Sequence, residues 1–492
     1  MNSQVLLSLG LFAAVLSGCQ VGPNYHQPTT SNLPASFDHA DQLSASTHAV
    51  PIDPATWWTV FHDPQLDSLI RSAGASNLDL RIASARVLEA KALRGVARSA
   101  WMPNLDASGA ASRSRGSENA QAGRQARALG GSLVGNQFES GFDMSWEVDV
   151  FGGVRRGVEA ADAELGASEA TRRDVMVSVL SEVGLTYLDL RGAQRQLAVA
   201  RDNLRLQQDA LALATDRLRS GLVSESDAAR AALEVATTRS RIPPLEESCD
   251  RAIHRLGILL GRSPNSLRLE LTASNPIPTT PPRIPVGLPS ELIRRRPDIQ
   301  VAERRLAAAT ARVGQATAEY FPKFYLTGAA GLQSIDSSDF FNAGSRFWTL
   351  GPSLRWPILN GGRIRQSIRI QNARQEQAAL VYEQTVLRSL EEVENALVAF
   401  GHEQERHEAL IESQSAAARS HQIALDRYRG GLTDFISVLD AERSLLASQD
   451  SVAQSDRLLG QHLVRLFKAL GGGWEATDST HQLAALPAGQ KP

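Results

Sequence analysis

Arg155 to Ser220 is a stretch of 66 residues without proline, and Arg363 to Arg429 repeats it over 67. At ~1.5 Å per residue each makes ~100 Å of continuous helix, far more than a globular domain encloses. Within the first stretch Val183, Leu190, Leu197, Leu204, Leu211 and Leu218 recur every seven residues, with Thr186, Ala193, Ala200 and Ala214 three positions later. That spacing predicts a coiled-coil seam in which large side chains face small ones. Leu185, Val199, Leu206 and Leu213 form a second apolar row, so the helix has neighbours on two flanks. The second stretch carries Leu390, Leu397, Ile411, Ala418 and Leu425 in the same register, beside Val386, Val393 and Phe400.

The repetition extends beyond the helices. Trp146-Glu147-Val148 returns as Trp356-Pro357-Ile358, and Arg217-Leu218-Arg219-Ser220-Gly221-Leu222 returns as Arg427-Tyr428-Arg429-Gly430-Gly431-Leu432, each 210 residues later. Ala100-Trp101-Met102-Pro103 is echoed by Tyr320-Phe321-Pro322, so the chain is a tandem duplication. Ahead of each long helix lie two alternating segments. Phe138, Phe142, Met144, Trp146 and Val148 share one face while Gln137, Glu139, Asp143 and Glu147 share the other. Phe324, Leu326 and Leu332, then Trp348, Leu350, Leu354 and Trp356, repeat the pattern, and Pro103 to Ser112 is its weakest instance. A period of two over ~10 residues with aromatic ends fits tilted membrane strands, although strands of a soluble sandwich also alternate. Arg113 to Gly135 and Ser334 to Ser345, rich in Gly, Ser and Asn, read as hairpin loops.

Domain boundaries follow. Residues 1–18 form a signal peptide, 19–63 an extended anchored segment and 64–274 the first repeat, with strands over 103–148 and the long helix over 155–220. Residues 275–289 form a Pro-rich linker. The second repeat spans 290–472, with strands over 322–357, the long helix 363–429 and a return helix 436–470, and a disordered tail occupies 473–492. The first return helix, from Ser224, is expected to break at Pro243-Pro244 and resume to Leu260.

Val5 to Leu16 is too short to span a bilayer as a helix and ends in Leu16-Ser17-Gly18-Cys19, which resembles the lipobox of bacterial lipoproteins. That resemblance implies a covalent lipid on Cys19, and Gln20 after it implies outer-membrane delivery. No segment elsewhere reaches 18 uninterrupted apolar residues, so any span must be β. With 42% hydrophobic and 21% charged residues the chain should fold, and a net charge of −2 gives no pull toward nucleic acid. Cys249 reads as an inert thiol, and His402 and His407, five apart rather than four, do not form a zincin pair. Gly152-Gly153-Val154-Arg155-Arg156-Gly157 lacks the Walker Lys-Ser/Thr, and no nucleophile or metal cluster stands out. No catalytic residue and no metal ligand is assigned.

Four membrane strands cannot close a barrel, because an open edge in lipid leaves backbone groups unpaired at several kcal/mol each. Copies must therefore join. Val21-Gly22-Pro23-Asn24-Tyr25, Trp57-Trp58, Asp63-Pro64-Gln65-Leu66, Arg295-Arg296-Pro297-Asp298-Ile299, Phe321-Pro322 and the two Arg-x-Arg-x-Gly-Leu turns resemble the TolC-like outer-membrane factors of tripartite efflux pumps, in their lipoprotein branch. The resemblance covers Cys19 to about Gly472. It implies an α+β membrane fold: a homotrimer with a twelve-stranded outer-membrane barrel, four strands per protomer, continuous with a periplasmic helical barrel. It further implies no cofactor and no chemistry, a periplasmic adaptor and an inner-membrane pump as partners, and a gate at the periplasmic tips.

By that resemblance Ile436 and Asp440, with Asp434 nearby, are expected at the constriction. Arg217, Gly221, Leu222, Asp227, Arg427, Tyr428, Gly431 and Leu432 form the tips that dock the adaptor, Asp227 being expected to pair with Arg217 or Arg427. Leu218 stands where the family often has Tyr, so the first repeat lacks that hydrogen-bonding group. Alternatively Asp440 and Asp227 are solvated first-turn carboxylates that stabilise helix N-termini. A periplasmic helical adaptor or scaffold lipoprotein would also carry long hairpins, but would not need duplicated strand pairs. A lipid-anchored periplasmic enzyme would need a convergent polar site, which the sequence does not present.

Overall fold

The computed structural model describes residues 20–28, 34, 36–37, 53–221, 223–281 and 289–475. The signal peptide, Cys19, Leu222, part of the Pro-rich linker and the chain from 476 lie outside the described residues. After a 3₁₀ segment at Pro54–Phe61 come α1 (Pro64–Ser76), α2 (Leu78–Ser99), β1 (Asn104–Arg115), α3 (Gln121–Ala128), β2 (Val134–Val148), α4 (Gly153–Arg219) and α5 (Glu225–Leu259). The one-turn helix α6 (Arg268–Leu271) precedes α7 (Pro289–Arg295), α8 (Pro297–Ala318), β3 (Lys323–Ser334), β4 (Arg346–Arg355), α9 (Arg363–Arg429) and α10 (Phe435–Ala469). The chain divides into two compact units, one drawn from 1–28, 88–167 and 302–382, the other from 29–87, 168–301 and 383–492.

The first unit holds a four-stranded antiparallel sheet in the order β1-β2-β3-β4. Register fixes its two faces, since side chains alternate along each strand. Leu105, Met144, Gly328 and Leu350 lie abreast, as do Ala107, Phe142, Ala330 and Trp348. The opposite face aligns Asp106, Asp143, Ala329 and Thr349, and Ser145, Thr327 and Gly351. The apolar face is bare in the single chain: Phe142 is 58% exposed, Leu350 62% and Trp348 79%. β1 and β4 each keep one edge free, and Pro352, which has no N–H to donate, sits on the edge strand β4. The duplication is visible at the strand ends, where the Trp146 indole donates to Trp101 O at 3.0 Å and the Trp356 indole to Tyr320 O at 3.0 Å.

The N-terminal strap belongs to this unit. Arg156, almost fully buried, donates to Val21 O (3.2 Å), Gly22 O (3.2 Å), Asn24 Oδ1 (2.8 Å) and Glu159 (2.8 Å). Gly22, at φ +87°, lies so close to Gly314 that a Cβ there would meet its Cα at 2.4 Å. Tyr25 donates to Glu303 at 2.9 Å and packs on Ala163, Ala307 and Ala308.

The second unit holds a large apolar core away from the tips. Trp57 stacks on Phe467 with centroids 5.8 Å apart and meets Trp58 and Phe61 edge-on. Leu180, Val183, Leu188 and Leu190 of α4 close around them with Val464 and Leu466 of α10. The Tyr187 hydroxyl donates to Asp63 at 2.6 Å, and Arg191 beneath it bonds Gln65, Gln194 and Ala273 O.

Three sequence expectations are corrected, and a fourth feature is qualified by the single chain. α5 runs unbroken through Pro243 and Pro244, the hydrogen bonds lost there being offset by burial of Val235, Thr238, Cys249 and Ala252 along the same helix. The loop expected over 113–135 contains α3, and its ends belong to β1 and β2. Gly473, Trp474 and Glu475 are not tail: the Arg173 guanidinium lies 4.7 Å over the Trp474 ring and Arg295 pairs with Glu475 at 2.8 Å. On α9 the seam is buried at Val393, Leu397 and Phe400, but Ile411 and Ala418 are exposed in the single chain.

Candidate functional site

The two hairpin tips, both in the second unit, are built by the same local chemistry. Each long helix must end where its last carbonyls have no intrahelical partner, and a residue at positive φ lets the chain fold back to satisfy them. Gly221 does this at φ +72° and Gly431 at φ +70°. The Gly221 N–H donates to Leu218 O (2.9 Å) and the Gly431 N–H to Tyr428 O (3.0 Å), while Leu432 N–H reaches Arg427 O at 2.8 Å.

Each return helix then needs an acceptor for its first N–H groups. Ser224 and Asp227 form a capping box at the start of α5, Asp227 N–H donating to Ser224 Oγ (3.3 Å) and Ser224 N–H to Asp227 Oδ2 (3.2 Å). Asp434 caps α10, accepting from Ser437 N–H (3.2 Å) and Ser437 Oγ (2.7 Å). Those bonds to Ser437 hold its carboxyl below the usual carboxylate range. Asp227 therefore pairs with neither Arg217 nor Arg427: a bond within its own turn displaces the expected contact between helices.

Arg217 instead addresses Tyr428. Its guanidinium lies 4.4 Å from the ring centre, and Nη1 donates to Tyr428 O at 3.4 Å. Tyr428 is buried against Phe435, ring centres 5.2 Å apart, within an apolar cluster of Ala214, Ala231, Val438 and Leu439. Among the described residues its hydroxyl has no hydrogen-bond partner. The first-repeat tip is thus fastened to the second through one cation and one ring.

Ile436 and Asp440 stand one helical turn apart on α10, and both are exposed. The Asp440 carboxylate lies 3.5 Å from Arg443, which also binds Glu234 of α5. Arg427 and Leu432 are exposed as well. The sequence reading missed Phe435 and Val438, which anchor this region, and the polar groups buried beside it: Asn203 and Gln207 on α4 and Glu442 on α10. Polar residues at seam positions were the available signal.

Elsewhere, His402 bonds Glu405 at 3.3 Å whereas His407 bonds Asp456 at 2.7 Å, so the two imidazoles serve different acids. Cys249 is buried, and burial pushes its thiol pKa up. Among the described residues no helix is long and apolar enough to cross a membrane, and no group of His, Cys, Asp and Glu could hold a metal ion.

A bare apolar sheet face with two free edges, joined in one chain to paired helices of 67 and 35 residues, defines a β-membrane protein with a helical conduit. Comparison with known proteins narrows the class. The family described as "Outer membrane efflux protein" matches residues 69–262 and 288–472. Nodulation protein T of Rhizobium leguminosarum bv. trifolii is 31% identical over 468 residues, covering 94% of this chain and 96% of that protein. The toluene efflux pump outer membrane protein TtgF of Pseudomonas putida is 32% identical, covering 96% and 98%. Among solved structures the outer-membrane channel OprN superposes with a TM-score of 0.86 at 36% identity, covering 93% of this chain and all of that one. The chain belongs to the outer membrane efflux protein family, and its fold and location are those of an outer-membrane efflux channel.

Proposed function

We propose that three copies assemble into a passive conduit that carries small molecules out of the cell and catalyses nothing, needing no cofactor beyond a lipid on Cys19. The observation that carries this reading is the sheet with two free edges: each copy supplies four strands, and pairing β1 of one with β4 of the next closes a twelve-stranded barrel. The exposed Ile411 and Ala418 on the α9 seam support the same assembly, since a neighbouring copy would cover them. Substrate would arrive from an inner-membrane pump through a periplasmic adaptor.

The tips are the gate and the docking site. Ile436 and Asp440 form apolar and acidic rings at the constriction, with Asp434 at the edge. Arg217, Gly221, Asp227, Arg427, Gly431 and Leu432 shape the surface that meets the adaptor, supported from beneath by the buried Tyr428 ring, and Leu222 would join them. Three copies of Asp440 facing one axis would repel one another and favour cations. Single-channel recording of the purified oligomer in planar bilayers tests this. Wild type should give small, cation-preferring openings, and Asp440→Ala should raise conductance or lose the preference. No pores from well-folded trimer would overturn the conduit, and an unchanged Asp440→Ala channel would remove Asp440 from the gate.

A further inference from the structure

Glu442 lies two residues beyond Asp440 on α10, yet it is only 4% exposed. Among the described residues its Oε1 has no hydrogen-bond partner, and neither has Oε1 of Gln207, a buried side chain on α4 that acts on the same carboxyl. Two interacting buried side chains thus each leave an acceptor oxygen without a donor, and the simplest donor is a proton on the carboxyl itself.

The surrounding charges agree. From α5, Glu234 acts on Glu442 as a like charge. Arg443, the neighbouring cation, is committed to Glu234 and Asp440 and points its charge outward, with about half its side chain exposed. From α4 the facing groups are neutral amides, Gln207 and Asn203, the latter bonded to Gln449 at 3.0 Å. α9 packs on this part of α10 through Ala424, Leu425 and Tyr428. At the same height on α9 stands His421, eight residues before that helix ends, as Glu442 is seven residues after α10 begins. Burial alone holds that imidazole below its usual range, so it stays neutral where Glu442 titrates.

We propose that Glu442 is a proton-loaded latch: carrying its proton it keeps α10 packed against α4 and α5, and on losing that proton to water it drives α10 away from them. This rests on the reading of α10 as the gate-bearing helix. The ionised form would leave a carboxylate buried beside Glu234 with one amide donor, an arrangement relieved by moving α10 toward water. Burial, reinforced by Glu234, lifts the Glu442 pKa to about 7, so the latch titrates near neutrality. A carboxyl raised in this way binds its proton more tightly when packed than when opened to water, so the packed arrangement loses stability as pH rises above the ordinary value of 4.5, and the loss is complete once pH passes about 7.

The test compares full-length trimer with Glu442→Gln and Glu234→Gln. In planar bilayers wild-type opening should increase as pH rises from the ordinary carboxyl value of 4.5 to about 7, by up to about tenfold per pH unit for the one proton released, and level off above. Glu442→Gln should stay at the low-pH level throughout, and Glu234→Gln, which keeps the acid and removes the like charge, should shift the midpoint to lower pH. Hydrogen exchange of α10 amides in detergent, read against Glu442→Gln at each pH, gives the same answer without a pore. If no pores form, the conduit fails while exchange still decides the latch. If wild type and Glu442→Gln share one pH profile in exchange, or Glu234→Gln leaves the midpoint unmoved, the latch is overturned.

Discussion

The Arg217 guanidinium rests 4.4 Å from the centre of the Tyr428 ring, so a cation from the end of one long helix is seated on an aromatic from the end of the other. The ring, not the hydroxyl, makes that contact and the packing with Phe435. Tyr428→Phe should therefore cost less than about 0.5 kcal/mol, whereas Tyr428→Leu should cost about 1–3 kcal/mol through lost cation–π attraction and packing. Denaturant unfolding of the two variants checks this, and equal losses would assign the contact to the hydroxyl.

Gly221 and Gly431 hold positive φ in open space, with nothing within 4 Å of where a Cβ would stand. Alanine there meets only backbone strain, about 1 kcal/mol at each tip. The two turns share the Tyr428 carbonyl, which accepts from the Gly431 N–H and from Arg217, so denaturant unfolding of the double variant should depart from the sum of the two single costs.

Gly22→Ala is a different case. Its Cβ would meet Gly314 Cα at 2.4 Å, backbone against backbone, so the strap must lift off rather than adjust. A loss of about 2–3 kcal/mol in local stability is expected. Limited proteolysis should then cut near residues 20–28 of the variant while wild type resists, and equal resistance would show that the strap tolerates displacement.

The cap of α10 responds to acid with a defined sign. Bonds from Ser437 depress the Asp434 carboxyl below its ordinary value of 3.8. The cap therefore stabilises α10 above that ordinary value, and the benefit is lost as pH falls through the depressed one. Amide protection at the first turn of α10, the exchange rate taken relative to the intrinsic rate at each pH, should fall in acid for wild type and be already low at neutral pH in Asp434→Ala. Removing the Asp227 side of the capping box should cost α5 about 1 kcal/mol, seen by the same measurement.

The long helices and the strands were legible because their periods, seven and two, persist over many residues, and the tandem repetition gave two copies to compare. The tip residues were placed by family resemblance. What they touch was not readable, because side chains choose between partners at short range. Asp227 had Ser224 three residues away and took it, leaving Arg217 to Tyr428. Gln207 stands in the heptad row of Ala200 and Ala214, where burial could have been read, but Glu442 looks like a surface residue and only the neighbouring helices make it buried. Pro243 and Pro244 signal a break by local rules, which packing along α5 overrides. Gln121–Ala128 was hidden by glycine and serine around it, a composition that reads as loop.

The free margins of β1 and β4 also bear on inheritance. A subunit whose backbone is completed only by its siblings cannot fail privately: a defective β1 or β4 edge would leave the next copy's amides unanswered in lipid. Alleles altered on those two margins should act dominantly when expressed beside the normal gene, whereas alleles altered inside β2 or β3 that abolish folding should be silent, because their products never enter the ring.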